Sequence, residues 1–195
     1  MCRSQHRQRL VTAQDAPPCA VSRSNGTLRY RIIAARRLVG MPRTATADRV
    51  DRDQLIEFLR PRHRALLSTR RADGSPQMSP VACGVDAAGR IVVSTYPQRA
   101  KVVNARRDPR VSLVVLSDDW DDAWVQVDGE AEVLDLPDAL EPLVEYFRSI
   151  SGEHPDWDEY RAAMQRQGKV LLRVTPTRWG PVATGGFPPD VRPAS

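Results

Sequence analysis

Residues 63–95 read HRALLSTRRADGSPQMSPVACGVDAAGRIVVST, three runs of strand-forming residues separated by two turn signals. The spacing predicts a strand over His63–Arg70, a turn at Ala72-Asp73-Gly74-Ser75, and a second strand over Gln77–Val85. Asp86–Gly89 makes a second turn and Arg90–Thr95 a third strand. Connections this short allow only antiparallel neighbours, because a parallel crossover needs about a dozen residues or more.

Working outward, Pro97 interrupts the sheet, and Arg99–Arg107 reads as a helix stopped at Asp108-Pro109. Val111–Leu116 is an apolar, β-branched strand. An acidic loop, Asp118–Asp122, carries Trp120 and leads to a long alternating strand over Ala123–Leu134. Gly129 lies inside that strand, where a bulge or a close backbone approach is expected. Two helices follow, Pro137–Ile150 and Asp156–Gln167, then a strand over Lys169–Val174 and a Pro/Gly-rich end. On the N-terminal side, Asp51 is placed to cap a short helix over Arg52–Leu59. Six strands in hairpin order with three or four helices predict a mainly β domain, a small antiparallel barrel with helices packed outside.

The chain has 195 residues and a net charge of +5. Residues 1–40 hold eight arginines and one acid, so the remaining 155 residues carry −2. The basicity belongs to the N-terminal stretch, and a slightly acidic body argues against a nucleic-acid partner. The composition divides the chain into a basic extension (1–40), a body (41–182) and a Pro/Gly-rich tail (183–195). Three readings fit the extension: residues upstream of a working start at Met41, a disordered basic arm, or a transit peptide. No apolar run approaches the roughly 18 residues a membrane span requires, and mean hydropathy is −0.45. Of three cysteines only Cys83 lies in the body, which fits a reducing cytoplasm. His63 and His154 have no ligand spacing, so no metal site is expected.

The distinctive chemistry lies where the strand ending in Ser94-Thr95 runs into the helix at Arg99. A helix N-terminus presents free N–H groups and a partial positive charge, which favour phosphate. Arg99 and Lys101 are placed to converge on a ligand beyond that helix end, with two hydroxyls beside them. A solvated basic helix face accounts for the same residues, and for Arg106, Arg107 and Arg110, equally well.

The stretch Ser94–Leu113, STYPQRAKVVNARRDPRVSL, resembles the pyridoxamine 5′-phosphate oxidase-like split-barrel superfamily. It is most similar to the branch of flavin/deazaflavin (coenzyme F420-dependent) oxidoreductases, type B. DGSPQMSPV over 73–81 matches that branch's second strand, VDGEA over 127–131 its fifth, and SGEHPDWDEY over 151–160 its helical connection. The resemblance runs in order from Asp51 to Val182.

It implies a six-stranded split barrel and a homodimer whose cofactor lies between subunits. Arg99 and Lys101 would then hold the cofactor phosphate with Ser94 and Thr95 nearby. Gln77 and Ser79 would bond the isoalloxazine-like ring, with Asn104 a further contact. Trp124 is expected in the substrate pocket or dimer interface, and Trp124, Val125 and Val127 are candidates for the covered apolar face. One departure bears on the substrate. True pyridoxamine phosphate oxidases end in an Arg- and His-containing segment, whereas this chain has Thr177-Arg178-Trp179-Gly180 and no histidine after His154.

The reading is an F420-dependent oxidoreductase that delivers hydride to a conjugated C=C bond of a small aromatic or quinone-like molecule. FMN chemistry, or cofactor or haem binding without turnover, is the alternative. In the deazaflavin case Arg106, Arg107 and Arg110 are available for the anionic tail beyond the phosphate.

Overall fold

In the computed structural model residues 44–188 are described; the N-terminal extension lies outside them. Their order is β1 (Thr46–Asp48), α1 (Arg52–Leu59), β2 (Arg64–Arg70), β3 (Pro76–Ala82), β4 (Gly84–Val85), β5 (Ile91–Thr95), α2 (Ala100–Arg107), β6 (Arg110–Leu116), β7 (Val125–Leu134), α3 (Leu140–Ser151), α4 (Trp157–Gln167), β8 (Val170–Trp179) and β9 (Val182–Thr184).

Local chemistry explains the element boundaries. Asp51 caps α1 by accepting from the Gln54 backbone at 2.9 Å, while the Gln54 side chain accepts from the Asp51 backbone at 2.9 Å. Both hairpin turns place a glycine at positive φ, Gly74 at 83° and Gly89 at 73°, where an L side chain is strained. Asp156 caps α4 by accepting from the backbones of Asp158 and Glu159.

Seven strands form one antiparallel sheet in the order β3-β2-β6-β7-β8-β5-β4, and β1 pairs with β9 in a separate ribbon. The sheet curls around Leu67, Val93, Leu113, Val115, Val125, Val127 and Leu172, closed at one end by Leu55 and Leu59 of α1. A second cluster joins α3 and α4 to the back of β5 and β8 through Val92, Leu143, Tyr160 and Leu171. Gly129 sits at an irregularity of β7. The register shifts between Asp128 and Gly129, and a Cβ on Gly129 would lie 2.4 Å from the Thr175 carbonyl oxygen.

Six expected strands become nine among the described residues. The run Gln77–Val85 divides at Cys83, because β3 pairs with β2 while β4 leaves to pair with β5. The Cys83 N–H donates to the His63 carbonyl, which marks the change of partner. A Cβ on Gly84 would meet the Ser149 hydroxyl at 2.2 Å, so glycine lets α3 close on this corner. The last strand of the sheet runs past Val174 to Trp179 along the irregularity of β7. Val182–Thr184, which spans the expected boundary between body and tail, pairs with the exposed Thr46–Asp48.

Val125 and Val127 are fully buried, which removes them from any external face. Alternation leaves Trp124 outside at 39% exposure, bridged to Ala183 through two backbone hydrogen bonds of 2.9 Å.

Candidate functional site

The sheet ends at β3 on one side and at β4 and β5 on the other. Strands β3 and β5 approach each other without a shared ladder of hydrogen bonds. The barrel is therefore split along a seam, and α2 packs against β2, β3 and β7 beside it. Residues singled out in the sequence lie on the elements that border the seam, with Ser94 on the opposite face of β5 from Thr95 because successive strand residues alternate. Ser94 and the buried Thr95 end β5, Arg99 is the N-cap residue of α2, Lys101 lies in its first turn, and Gln77 and Ser79 lie on β3. Ser79 faces Leu67 and Gln77 faces Thr69 across the β2–β3 ladder, so both belong to the core side of the edge strand.

The cations of the seam are uncompensated. Arg99, Lys101 and Lys169 form no ion pair among the described residues. Burial, and then the like charge of Arg99, hold the Lys101 ammonium below the ordinary lysine value. Lys169 Nζ stands 3.8 Å from the Tyr96 ring centroid and the Arg99 guanidinium carbon 5.9 Å from it, so one ring brings both cations together. A phosphate here would relieve the repulsion and the burial cost together. The donor set fits a phosphate-bearing cofactor.

The other arginines of this segment are committed elsewhere. Arg106 pairs with Asp135 at 2.6 Å and Arg110 with Asp108 at 2.8 Å. The bonds from Arg110 pull the Asp108 carboxyl down to about 2. Arg107 donates to the Arg70 carbonyl and, at 3.1 Å, to Asn104 Oδ1. The basic-face account thus fits Arg106 and Arg110, while Arg107 is part of the packing of α2. Asn104 is 6% exposed and donates to Thr69 Oγ1 at 3.0 Å, so it stands behind the seam.

Sequence reasoning missed Thr69 and Lys169. Thr69 was legible as the one polar residue on the buried face of its strand, beside Ala65 and Leu67. Lys169 carries no sequence signal, because only the pairing of β8 with β5 brings it to Tyr96.

The described cavity, a groove of about 890 Å³, lies elsewhere. It covers the outer face of β2, β6, β7 and β8, where Ser68, Ser112, Asp128 and Arg178 stand in one row across the ladders. There Asp128 accepts from Ser112 at 2.7 Å, Gln126 at 3.1 Å and Arg178 at 2.7 Å. The Ser112 hydroxyl, followed by Arg178, holds the Asp128 carboxyl below its usual range.

Other reactive groups are spoken for. Burial pushes the Cys83 thiol up to about 12, which makes it unreactive. His63 Nδ1 bonds the Cys83 carbonyl at 3.1 Å, and His154 Nδ1 accepts from the Asp156 backbone at 3.0 Å within a cluster of Phe147, Trp157 and Tyr160. Among the described residues no His, Cys, Asp or Glu side chains gather in a way that would hold a metal ion, and no helix is long and apolar enough to cross a membrane.

The family described as pyridoxamine 5′-phosphate oxidase matches this chain over residues 52–183. A conserved hypothetical protein from Mycobacterium tuberculosis is 25% identical, with a TM-score of 0.59 over 72% of this chain and 89% of that one. A putative pyridoxamine 5′-phosphate oxidase from Listeria innocua is 16% identical, with a TM-score of 0.50 over 67% of this chain and 96% of that one. A heme binding protein from Mycobacterium smegmatis is 17% identical, with a TM-score of 0.52 over 71% of this chain and 56% of that one. The last two share the fold alone.

Proposed function

From the premise that the chain belongs to the pyridoxamine 5′-phosphate oxidase family, we propose that it is a cytoplasmic, homodimeric oxidoreductase using coenzyme F420. The observation that carries this reading is the uncompensated cation group Arg99, Lys101 and Lys169 at the seam. Arg99 and Lys101 hold the cofactor phosphate beside Ser94 and Thr95. Gln77 and Ser79 meet the ring from β3. Lys169 would supply a third positive charge, which suits a deazaflavin, whose anionic tail FMN lacks. Arg106 and Arg110, already in ion pairs, do not take that role.

When bound, a reduced deazaflavin supplies a hydride, and the protein's task is to orient it. The substrate is a conjugated C=C bond in a small aromatic or quinone-like molecule, with solvent as the proton source. Pyridoxamine phosphate is disfavoured, because Arg178 is bound to Asp128 and residues 179–195 hold no histidine. A second copy covers the outer sheet face, where Met78 is 58% and Trp124 39% exposed next to half-buried Leu66 and Val114.

Fluorescence titration of the purified chain with F420 and with FMN, in turn, tests the reading. F420 binding at least tenfold tighter than FMN is expected. Tighter FMN binding would keep the phosphate site and overturn the cofactor.

A further inference from the structure

Behind the seam, polar side chains from α2, β2 and β3 form one chain of hydrogen bonds. Arg107 donates to Asn104 Oδ1 at 3.1 Å, and Asn104 Nδ2 donates to Thr69 Oγ1 at 3.0 Å. The Thr69 hydroxyl donates to Gln77 Oε1 at 3.1 Å, its own distance to the Gln77 carbonyl being 3.5 Å. Gln77 Nε2 donates to Ser79 Oγ and to the Met78 carbonyl, both at 2.8 Å.

The direction of this chain is forced. A guanidinium has donors and no acceptor, so Arg107 turns the Asn104 oxygen toward itself. The Asn104 amide nitrogen must then face Thr69. The Thr69 hydroxyl, having accepted, has one hydrogen to give, and Gln77 Oε1 takes it. That fixes the Gln77 carboxamide, whose nitrogen is left to donate to Ser79. The amide orientations thus follow from the network. At its far end the Ser79 oxygen is an acceptor, and its hydroxyl hydrogen has no acceptor among the described residues. Thr69 is 1% and Asn104 6% exposed, so water does not compete for the inner links.

We propose that this relay presets the Ser79 hydroxyl as a hydrogen-bond donor to a carbonyl oxygen or unprotonated ring nitrogen of the ligand held in the seam. Thr69, Asn104 and Arg107 act as positioning residues. The inference rests on the cofactor reading of the seam. It adds the sense of the Ser79 contact and the residues that impose it. A donor oriented in advance costs no reorganisation when the ligand arrives. The relay also ties α2, which carries the cations at its other end, to the strand that meets the ring.

Dissociation constants for F420 and FMN are measured by fluorescence titration for the native chain and for Ser79→Ala, Thr69→Val, Thr69→Ser, Gln77→Glu and the Thr69→Val/Ser79→Ala double variant, with folding followed by circular dichroism. Ser79→Ala is expected to weaken binding of the preferred cofactor about fivefold to tenfold, the range for one net hydrogen bond. Thr69→Val should lose about as much and Thr69→Ser less than about twofold. The double variant should lose no more than Ser79→Ala alone, since both remove the same contact. Gln77→Glu presents only acceptors, draws the Ser79 hydrogen to itself, and should match Ser79→Ala. This variant and Ser79→Ala lie on an edge strand, so they carry the test even where Thr69→Val fails to fold. Native binding with additive losses, or with Gln77→Glu at native affinity, would overturn the relay alone. A native chain that binds neither cofactor would overturn the seam reading and the relay with it.

Discussion

The seam and the outer groove are both lined by cations, and they use them differently. In the groove Arg178 and Arg110 reach Asp128 and Asp108 within 2.8 Å, and Ser112 and Gln126 fill the remaining positions on Asp128. At the seam Arg99 and Lys169 meet at Tyr96 and Lys101 feels the charge of Arg99, and none of the three forms an ion pair among the described residues. A paired cluster explains itself within the fold. An unpaired one costs folding free energy and is retained where a ligand supplies the missing charge. The outer groove is therefore the weaker candidate for cofactor binding, because Arg110 and Arg178 in it are already paired.

The strongest way to break this contrast is to reverse one charge in each region. Lys101→Glu replaces a charge-assisted bond worth roughly 1.5–3 kcal/mol with repulsion, so affinity for F420 should fall between about tenfold and a hundredfold. Arg178→Glu in the groove should change it less than about twofold. Fluorescence titration in low and high salt separates direct contact from long-range field, since exposed charges are screened beyond about 10 Å at 0.1 M. Equal losses from both variants would reduce the seam to a solvated basic surface.

The outer face gives the next largest effect. If a second copy covers it, Trp124→Asp should weaken the dimer about tenfold, since aromatic anchors dominate interface energies. Sedimentation equilibrium checks this at micromolar concentration. A native chain that is a folded monomer there would leave the groove open to some other occupant.

These contrasts were only partly legible in the sequence. The hairpins were, because Asp73-Gly74 and Asp86–Gly89 encode turns through local chemistry, and so was the Asp51 cap with its Gln54 partner. The helix after Thr95 and the special role of Gly129 were legible for the same local reason. What was not legible depends on partners distant in sequence. The division of β3 from β4 is imposed by β2 on one side and β5 on the other. Arg106, Arg107 and Arg110 look alike in a row, and only the positions of Asp135, Arg70 and Asp108 show that each is engaged. Lys169 and Thr69 join the site for the converse reason, through strand pairing that no local pattern reports.

A smaller effect is expected from Asp128→Asn. The Asp128 carboxyl is depressed in the folded state, chiefly by Ser112 and then by Arg178. Its contribution to stability is therefore present above the ordinary carboxyl value and lost as pH falls through the depressed one. Asp128→Asn should lower stability at pH 7 by no more than about 1 kcal/mol, since Arg178 is largely exposed. The difference from the native chain should shrink below about pH 4, read from thermal melts across a pH series.

The smallest effect has the opposite sign, and it separates the two regions most sharply. Lys101 is held below its ordinary value by burial and by Arg99, so the unfolded chain keeps that proton more tightly than the folded one. Wherever the unfolded state binds more protons, stability rises with pH. The charge on Lys101 thus lowers stability at pH 7, and the penalty fades as pH climbs through the depressed value toward 10.5. Lys101→Met keeps the length of the side chain and removes the charge. In the absence of cofactor it should melt higher than the native chain at pH 7, by about 0.5 kcal/mol or less. That advantage should disappear near pH 10, while cofactor affinity is lost at both. Groove substitutions cannot behave this way, because removing one member of a satisfied pair leaves the other without its partner. A Lys101→Met variant less stable than the native chain at pH 7 without cofactor would mean that the seam cations are already compensated within the fold, and the contrast between the two regions would fail.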